Sequence, residues 1–208
     1  AILGKEETCT GDSARRLGEE YLFETLANQN IETLNKYKFN TVITACPHCF
    51  QVISKEYKDF GGNYNVVHHS EYIQKLIDDK KITVSPNIDG TITYHDACYL
   101  GRYNDIYEAP RTIIESLLKE NGEIVEMKDN KSGSLCCGAG GGNMWHEIAE
   151  GDRINIKRFE QAIETEADTV ATACSFCAIM MEDAKNVTGN ESKMKTLDVA
   201  ELVAKSLG

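Results

Sequence analysis

The sequence lacks an excess of positive charge, a long apolar run and a targeting pattern at its start. It has 22 basic and 33 acidic residues, a formal net charge of −11, which repels nucleic acid and offers no polybasic footprint for a membrane surface. The longest apolar stretch, residues 170–181, is shorter than the roughly 18 residues that a membrane span needs. The sequence therefore predicts a cytoplasmic protein that binds no nucleic acid and meets a membrane only through another segment or subunit.

The composition permits a folded hydrophobic core without disulfide bonds. With 208 residues, 41% of them apolar, the chain is long enough for one large or two small domains. Eight cysteines in a chain without a signal peptide indicate a reducing compartment, where thiols bind metal or do redox work. The chain opens at Ala1 rather than at methionine, which is typical of a segment from a longer polypeptide.

Five cysteines in the second half form one frame. Cys98 lies 37 residues (99–135) before the adjacent pair Cys136 and Cys137, and the C-x-x-C of Cys174 and Cys177 begins 36 residues (138–173) after it. Two adjacent thiols do not both fit a packed core, but on a glycine-rich loop they can converge on one inorganic centre. Four thiolates suffice for an ordinary cubane cluster, so a fifth favours bridging thiolates and a more open cluster.

Glycines follow the cysteine pair at once. The backbone N–H groups after it, at Gly138 and Gly140 among others, are expected to hydrogen-bond to sulfur and to offset the extra thiolate charge. A dinucleotide-binding loop is disfavoured because the run lacks the last glycine of G-x-G-x-x-G. Upstream, His95 and Asp96 precede Cys98 and are candidates for supplying a proton or holding a substrate; local bonding at the end of a strand is the equally weighted alternative.

An internal repeat relates the two halves at an offset of 128. TVITACPHC (41–49) recurs as TVATACSFC (169–177), and Ser70, a predicted helix N-cap, corresponds to Asp198. Cys9 aligns either with Cys137 directly or with Cys136 after a one-residue gap, and both registers stay open. The first copy lacks a counterpart of Cys98. The simplest interpretation is the last part of one repeat at 1–88 and a complete repeat at 89–208.

Alternating strand and helix patterns predict an α/β fold of two tandem pseudo-repeated units, with mainly parallel sheets flanked by helices and the first unit incomplete at its N-terminus. Predicted strands at 39–45, 91–98 and 168–173 each place a cysteine at or just beyond the carboxyl end, where reactive sites of parallel sheets gather. Further predictions are a helix at 12–35, with Leu17, Tyr21, Leu22, Thr25 and Leu26 on one face, and a long helix at 143–164.

Three motifs, HDACYLGR (95–102), CCGAGGG (136–142) and CSFC (174–177), resemble the cysteine-rich CCG domain. That domain occurs in the B-type component of heterodisulfide reductase and in iron-sulfur components of lactate, glycolate and glycerol-3-phosphate oxidation systems. Residues 99–107 and 153–158 are similar to the larger fused iron-sulfur oxidoreductases linked to electron-transferring flavoprotein and acyl-CoA oxidation. The resemblance implies a non-cubane [4Fe-4S] cluster on Cys98, Cys136, Cys137, Cys174 and Cys177. It also implies a ferredoxin-type iron-sulfur domain or subunit and a flavoprotein (electron-transferring flavoprotein or flavin-dependent dehydrogenase) as partners, and a quinone or disulfide as substrate.

The first copy has fewer cysteine ligands. Its three are Cys9, Cys46 and Cys49, and one further cysteine upstream would bring the number only to four. A cubane cluster, a zinc ion and an empty site all remain open there, and thioredoxin-like chemistry at Cys46 and Cys49 is less favoured than shared metal ligation. Two functions follow for the whole: an iron-sulfur oxidoreductase module that transfers electrons, or a zinc-stabilised interaction module without redox activity.

Overall fold

The computed structural model describes residues 1–146 and 153–207, and its strands form two parallel sheets. The first sheet pairs β1 (Val42–Thr44) with β2 (Val66–His68). The second has the order β4-β3-β5-β6. Its members are β3 (Thr91–His95), β4 (Glu123–Ile124), β5 (Thr169–Thr172) and β6 (Lys195–Asp198). Each pairing between these strands is parallel, which confirms the predicted fold class.

Helices connect the strands. They are α1 (Asp12–Arg16), α2 (Glu20–Leu34), α3 (Pro47–Gln51), α4 (His69–Asp78), α5 (Glu108–Leu117), α6 (Ile154–Ile163), α7 (Ser175–Val187) and α8 (Val199–Ser206). The chain continues from α3 through a π-helical turn at Val52–Glu56 into a 3₁₀ turn at Tyr57–Phe60. Further 3₁₀ turns lie at Gly4–Glu6, Lys131–Gly133 and Gly140–Trp145. Within the described residues no helix is both long and apolar enough to cross a lipid bilayer.

The larger hydrophobic core surrounds the four-stranded sheet. All four residues of β5 are buried, as expected of an inner strand that helices cover on both faces. Helix α5 contributes Ile113, Ile114 and Leu117 from one face. Helix α4 comes from the first half but packs against α5 and α8, with its isoleucines in this same core. The boundary between units at 88 and 89 therefore stays a prediction.

A smaller core lies in the first half, and its helix differs from the predicted one. The chain breaks at Gly18, where φ is +84°, so α2 starts afresh at Glu20. The predicted apolar face of this helix is not the buried one, because Leu17 is 52% and Tyr21 is 85% exposed. Leu22 is 47% exposed. The buried members of this core are Phe23, Ala27, Ile31, Val52, Ile53 and Tyr57. A glycine in the left-handed region resets the helical phase, and the side chains that face inward change with it.

One of the two predicted helix caps differs in the structure, and the other is confirmed. Helix α4 is capped by His68, whose Nδ1 accepts a hydrogen bond from the Ser70 N–H, so Ser70 is not the N-cap. Asp198 does cap α8, in a capping box with Glu201. Thr44 pairs with His68, and Thr172 pairs with Asp198. The caps of the two halves are therefore equivalent at an offset of 130, because the second repeat has gained two residues between its strands.

The described parts of the predicted helix at 143–164 do not form one continuous α-helix. Its middle, residues 147–152, lies outside the described residues. Before it, Gly140–Trp145 is a 3₁₀ segment interrupted by positive φ angles at Gly141 and Gly142, and after it α6 begins at Ile154. The extended backbone of the N-cap Arg153 (φ −72°, ψ 119°) makes α6 a separate helix that starts at Ile154.

Candidate metal centre

The cysteines follow the carboxyl ends of parallel strands. Cys46 comes two residues after β1 and is the N-cap of α3, and Cys174 stands in the same relation to β5 and α7. Cys98 lies three residues beyond the end of β3. Because carboxyl ends of parallel strands share one edge of a sheet, this arrangement brings distant thiols together.

The five cysteines of the second-half frame lie near one another. The Sγ atoms of Cys137 and Cys177 lie 3.3 Å apart. The neighbouring Cys137 and Cys98 thiols lower the pKa of Cys136, and the Cys137 and Cys174 thiols raise that of Cys177. Cys137, Cys174 and Cys177 are buried. The structure thus places the sequence-predicted ligands in one nest of thiols, largely shielded from solvent.

Protons are unevenly shared within this nest. Hydrogen bonds from the Cys137 and Cys98 thiols, aided by the Gly138 amide, hold the pKa of Cys136 far below its ordinary value. The same interaction raises the pKa of Cys137 to about 12 and that of Cys98 well above its usual range. One thiolate supported by neighbouring thiols is a site that a soft cation would occupy with release of protons.

Of the two glycines expected to donate hydrogen bonds to sulfur, Gly138 does so and Gly140 does not among the described residues. Gly138 has φ +89° and donates its N–H to the Cys136 Sγ at 3.3 Å. The next amide, of Ala139, opposes the rise in the pKa of Cys137, and sequence reasoning had not singled it out. Gly140 has no such bond to sulfur among the described residues. The predicted support of sulfur by backbone amides therefore begins at Gly138 and continues at Ala139.

The first half repeats this geometry with one change. The Gly11 N–H donates to the Cys9 Sγ at 3.4 Å, and Gly11 has φ +85°. Thr10 Oγ1 lies 3.4 Å from the Cys49 Sγ, where the second half has the contact between Cys137 and Cys177. Cys9 is therefore equivalent to Cys136, which selects the register with the one-residue gap, and Thr10 stands in place of the second adjacent cysteine.

The two sets of thiols are close enough to influence each other. The Cys174 thiol, across the boundary between the repeats, and then the Cys49 thiol lower the pKa of Cys46 to about 2. Neighbouring thiols thus affect one another's pKa from Cys98 to Cys49. Cys9 is exposed and stands apart from this series.

Asp96 is held by hydrogen bonds to neighbouring residues. The Asp96 carboxylate receives Nη1 and Nη2 of Arg111 at 2.8 and 2.9 Å, and the Lys131 N–H at 2.7 Å. Arg111 also donates to Glu126. With its oxygens engaged, Asp96 ties the end of β3 to α5 and to the loop before the cysteine pair. This favours the local-bonding alternative over proton supply.

His95 faces the sulfur atoms. It is fully buried, and one of its ring nitrogens lies within 4.8 Å of the Sγ atoms of Cys137 and Cys177. Nδ1 accepts a hydrogen bond from Nε of Arg158 at 2.9 Å, while Nε2 has no partner among the described residues. Burial, and then the Arg158 charge, lower the pKa of His95 to about 3. Sequence reasoning had missed Arg158, which lies beside Phe159 on the buried face of α6.

Fold and site together define a class of cysteine-rich α/β proteins, in which thiols from two repeats gather at the carboxyl edges of parallel sheets. The family model of the cysteine-rich CCG domain matches residues 1–54 and 92–182. The chain belongs to this family, and the resemblance carried by the three motifs is confirmed.

Curated relatives extend over the whole chain. It is 40% identical over 207 residues to the probable iron-sulfur-binding oxidoreductase FadF of Bacillus subtilis, covering 100% of this chain and 29% of the relative. Identity to the EtfAB:quinone oxidoreductase of Syntrophomonas wolfei is 40% over 212 residues, covering 99% and 29%. Identity to the D-type component of the dihydromethanophenazine:CoB–CoM heterodisulfide reductase of Methanosarcina barkeri is 33% over 214 residues, covering 100% and 51%. The chain thus spans between about a third and a half of these relatives.

Proposed function

We propose that this chain is an iron-sulfur electron-transfer module of an oxidoreductase of the heterodisulfide reductase type. Its second-half nest would hold a [4Fe-4S] cluster, of the non-cubane kind, through Cys98, Cys136, Cys137, Cys174 and Cys177. The observation that carries the proposal is the meeting of these five thiols in one largely buried place. When bound, such a cluster supplies one-electron oxidation and reduction.

The donor set fits this group better than it fits zinc. Thiolates are ligands that iron-sulfur clusters and zinc both accept, but a structural zinc ion takes four in a closed tetrahedron. Five neighbouring thiols exceed that number. The Gly138 amide donates a hydrogen bond to the Cys136 sulfur and the Ala139 amide favours the thiolate of Cys137, as is usual around iron-sulfur clusters.

The first half has a smaller donor set of its own. Cys9, Cys46 and Cys49 are its cysteines, and Thr10 replaces the fourth thiol that the second half has at the equivalent position. We therefore assign the five-thiolate cluster to the second half. A second cluster or a zinc ion at the first half stays a separate proposal, in line with a division into repeats at 1–88 and 89–208.

Partners are proposed from the relatives. Their names point to an electron-transferring flavoprotein with quinone in one case and to a heterodisulfide in another. We propose that the chain exchanges electrons with a flavoprotein or a ferredoxin-type iron-sulfur domain, and that a quinone or disulfide is the final substrate. The module would work in the cytoplasm, with any membrane attachment supplied by another segment or subunit.

Anaerobic purification followed by iron, zinc and acid-labile sulfide analysis tests the proposal. Iron and sulfide in equal amounts with broad visible absorption are expected, whereas stoichiometric zinc without sulfide would establish the interaction module instead. Cys137→Ser should change or abolish the paramagnetic signal of the cluster and leave metal binding at Cys46 and Cys49 intact. The matched control is Cys9→Ser, which changes a cysteine outside the nest and should leave the signal as it is. An unchanged signal in Cys137→Ser would remove the five-ligand assignment.

A further inference from the structure

Arg158 is a buried cation whose acceptors are all uncharged. Its side chain is fully buried. Within the described residues, Nη1 donates to the Asp129 backbone oxygen and to Gln161 Oε1, both at 2.7 Å, and Nε donates to His95 Nδ1. Nη2 has no partner there. Burial lowers the pKa of Arg158 to about 10, although the charges of Asp96 and Asp129 oppose this. No carboxylate among the described residues accepts a hydrogen bond from it, and a buried charge without such a partner is unfavourable, so the unpaired Nη2 indicates that a further negative group belongs nearby.

His95 connects this cation to the thiols. A guanidinium can only donate, so Nδ1 of His95 must present a lone pair, and the single proton of the neutral ring then sits on Nε2. Nε2 is the nitrogen without a partner, and the ring lies within 4.8 Å of the Cys137 and Cys177 sulfurs. The distance alone would also suit a metal ligand. A protonated Nε2 has no lone pair to offer, so the hydrogen bond from Arg158 excludes that role.

We propose that Arg158 and His95 form a positioning pair for the cluster: Arg158 supplies the buried countercharge, and it fixes His95 as an Nε2–H donor to the sulfur ligands Cys137 and Cys177. This inference rests on the proposed iron-sulfur function. Reduction adds negative charge to the centre, and a buried cation with a fixed hydrogen-bond donor stabilises the more negative state. The pair therefore raises the reduction potential of the cluster.

Redox titration of the anaerobically isolated protein, followed by the paramagnetic signal, measures this effect. Arg158→Gln should lower the potential by about 59 mV or more, a tenfold change in the reduction equilibrium of a one-electron couple. Lys157→Gln removes the same charge from the residue directly before Arg158, on the exposed side of α6, and should leave the potential unchanged. Arg158→Lys keeps the charge and should restore most of the shift. His95→Leu should lower the potential, whereas His95→Gln, whose amide can donate from the Nε2 position, should lower it less.

The outcomes separate the two proposals. Absence of iron and sulfide from the unaltered protein overturns the proposed function. A loaded Arg158→Gln variant with the unaltered potential, or a Lys157→Gln variant shifted equally, overturns the positioning pair alone. If Arg158→Gln does not fold, Arg158→Lys and His95→Leu decide through the same titration. Independently of any cluster, ¹⁵N correlation spectra of the iron-free protein should show His95 protonated at Nε2; protonation at Nδ1 would overturn the assignment.

Discussion

Replacing Gly138 by alanine tests the turn that presents the cysteine pair. Gly138 has φ +89°, a region in which an L side chain is strained. A Cβ added there would meet the Asn155 N at 3.4 Å and the Met180 Cε at 3.5 Å, which are ordinary contacts. The cost of Gly138→Ala is therefore a backbone cost, about 1–2 kcal/mol for one residue in the left-handed region.

Gly140→Ala is the matched control in the same loop. Gly140 does not have a positive φ, and nothing lies within 4 Å of an added Cβ. Alanine there should be neutral or should stabilise by about 0.4–1 kcal/mol, because it restricts the unfolded chain. The two variants should thus differ by about 2 kcal/mol in the free energy of unfolding, although both add one methyl group within three residues of each other.

Urea denaturation of the iron-free protein under reducing conditions measures this difference, provided that the denaturant slope stays the same in both variants. Relaxation of the strain would also pull the Gly138 N–H away from the Cys136 Sγ, now 3.3 Å distant, and the pKa of Cys136 would rise. Equal unfolding free energies for Gly138→Ala and Gly140→Ala would show that the left-handed turn is not required, and the reasoning would be wrong.

Three further changes have defined outcomes. Burial lowers the pKa of His68 to about 3, so below pH 6.5 the unfolded state binds more protons and stability falls by up to about 1.4 kcal/mol per pH unit. His68→Asn, which can keep the helix cap, should show a flatter loss between pH 7 and 5 in urea titrations, and parallel curves would contradict this. Asp96→Asn should cost about 3 kcal/mol of unfolding free energy by weakening the buried pair with Arg111; a fully stable but inactive variant would instead establish a catalytic role. Thr10→Cys should bind zinc at least tenfold more tightly in chelator competition, because it places a thiol beside Cys49, and unchanged affinity would refute the equivalence of the two halves.

The sequence predicts the elements of the fold well where strand and cysteine coincide. β-Branched runs before Cys46 and Cys174 mark strands, and both strands end two residues before their cysteine. The spacing of the second-half cysteines was sufficient to predict that they meet, because parallel strands deliver their ends to one edge. Hydrophobic pattern and ligand spacing are local properties that a sequence displays directly.

Features that depend on three-dimensional neighbours could not be predicted in this way. The break at Gly18 changed the inner face of α2, and apolar spacing alone does not reveal where a helix restarts. His68 caps α4 because its ring reaches the Ser70 amide, although serine is by far the commoner cap. Arginine is a residue type that is mostly exposed, and only the approach of the Arg158 Nε to His95 shows why this one lies inside.

The first half has the hydroxyl of Thr10 at the position where the second half has the thiol of Cys137, so the two halves differ in the number of possible metal ligands. Thr10 keeps the contact to Cys49, so the local packing survives while a negative ligand is lost. Because the Cys174 thiol lowers the pKa of Cys46, charge bound in one half is felt in the other, and two fully thiolate-ligated centres in this buried setting would repel each other. A first half with fewer thiolates lowers that repulsion and still holds Cys46 against the second-half nest. The asymmetry of the repeats is therefore what physical chemistry would favour if one half carries the cluster and the other supports it.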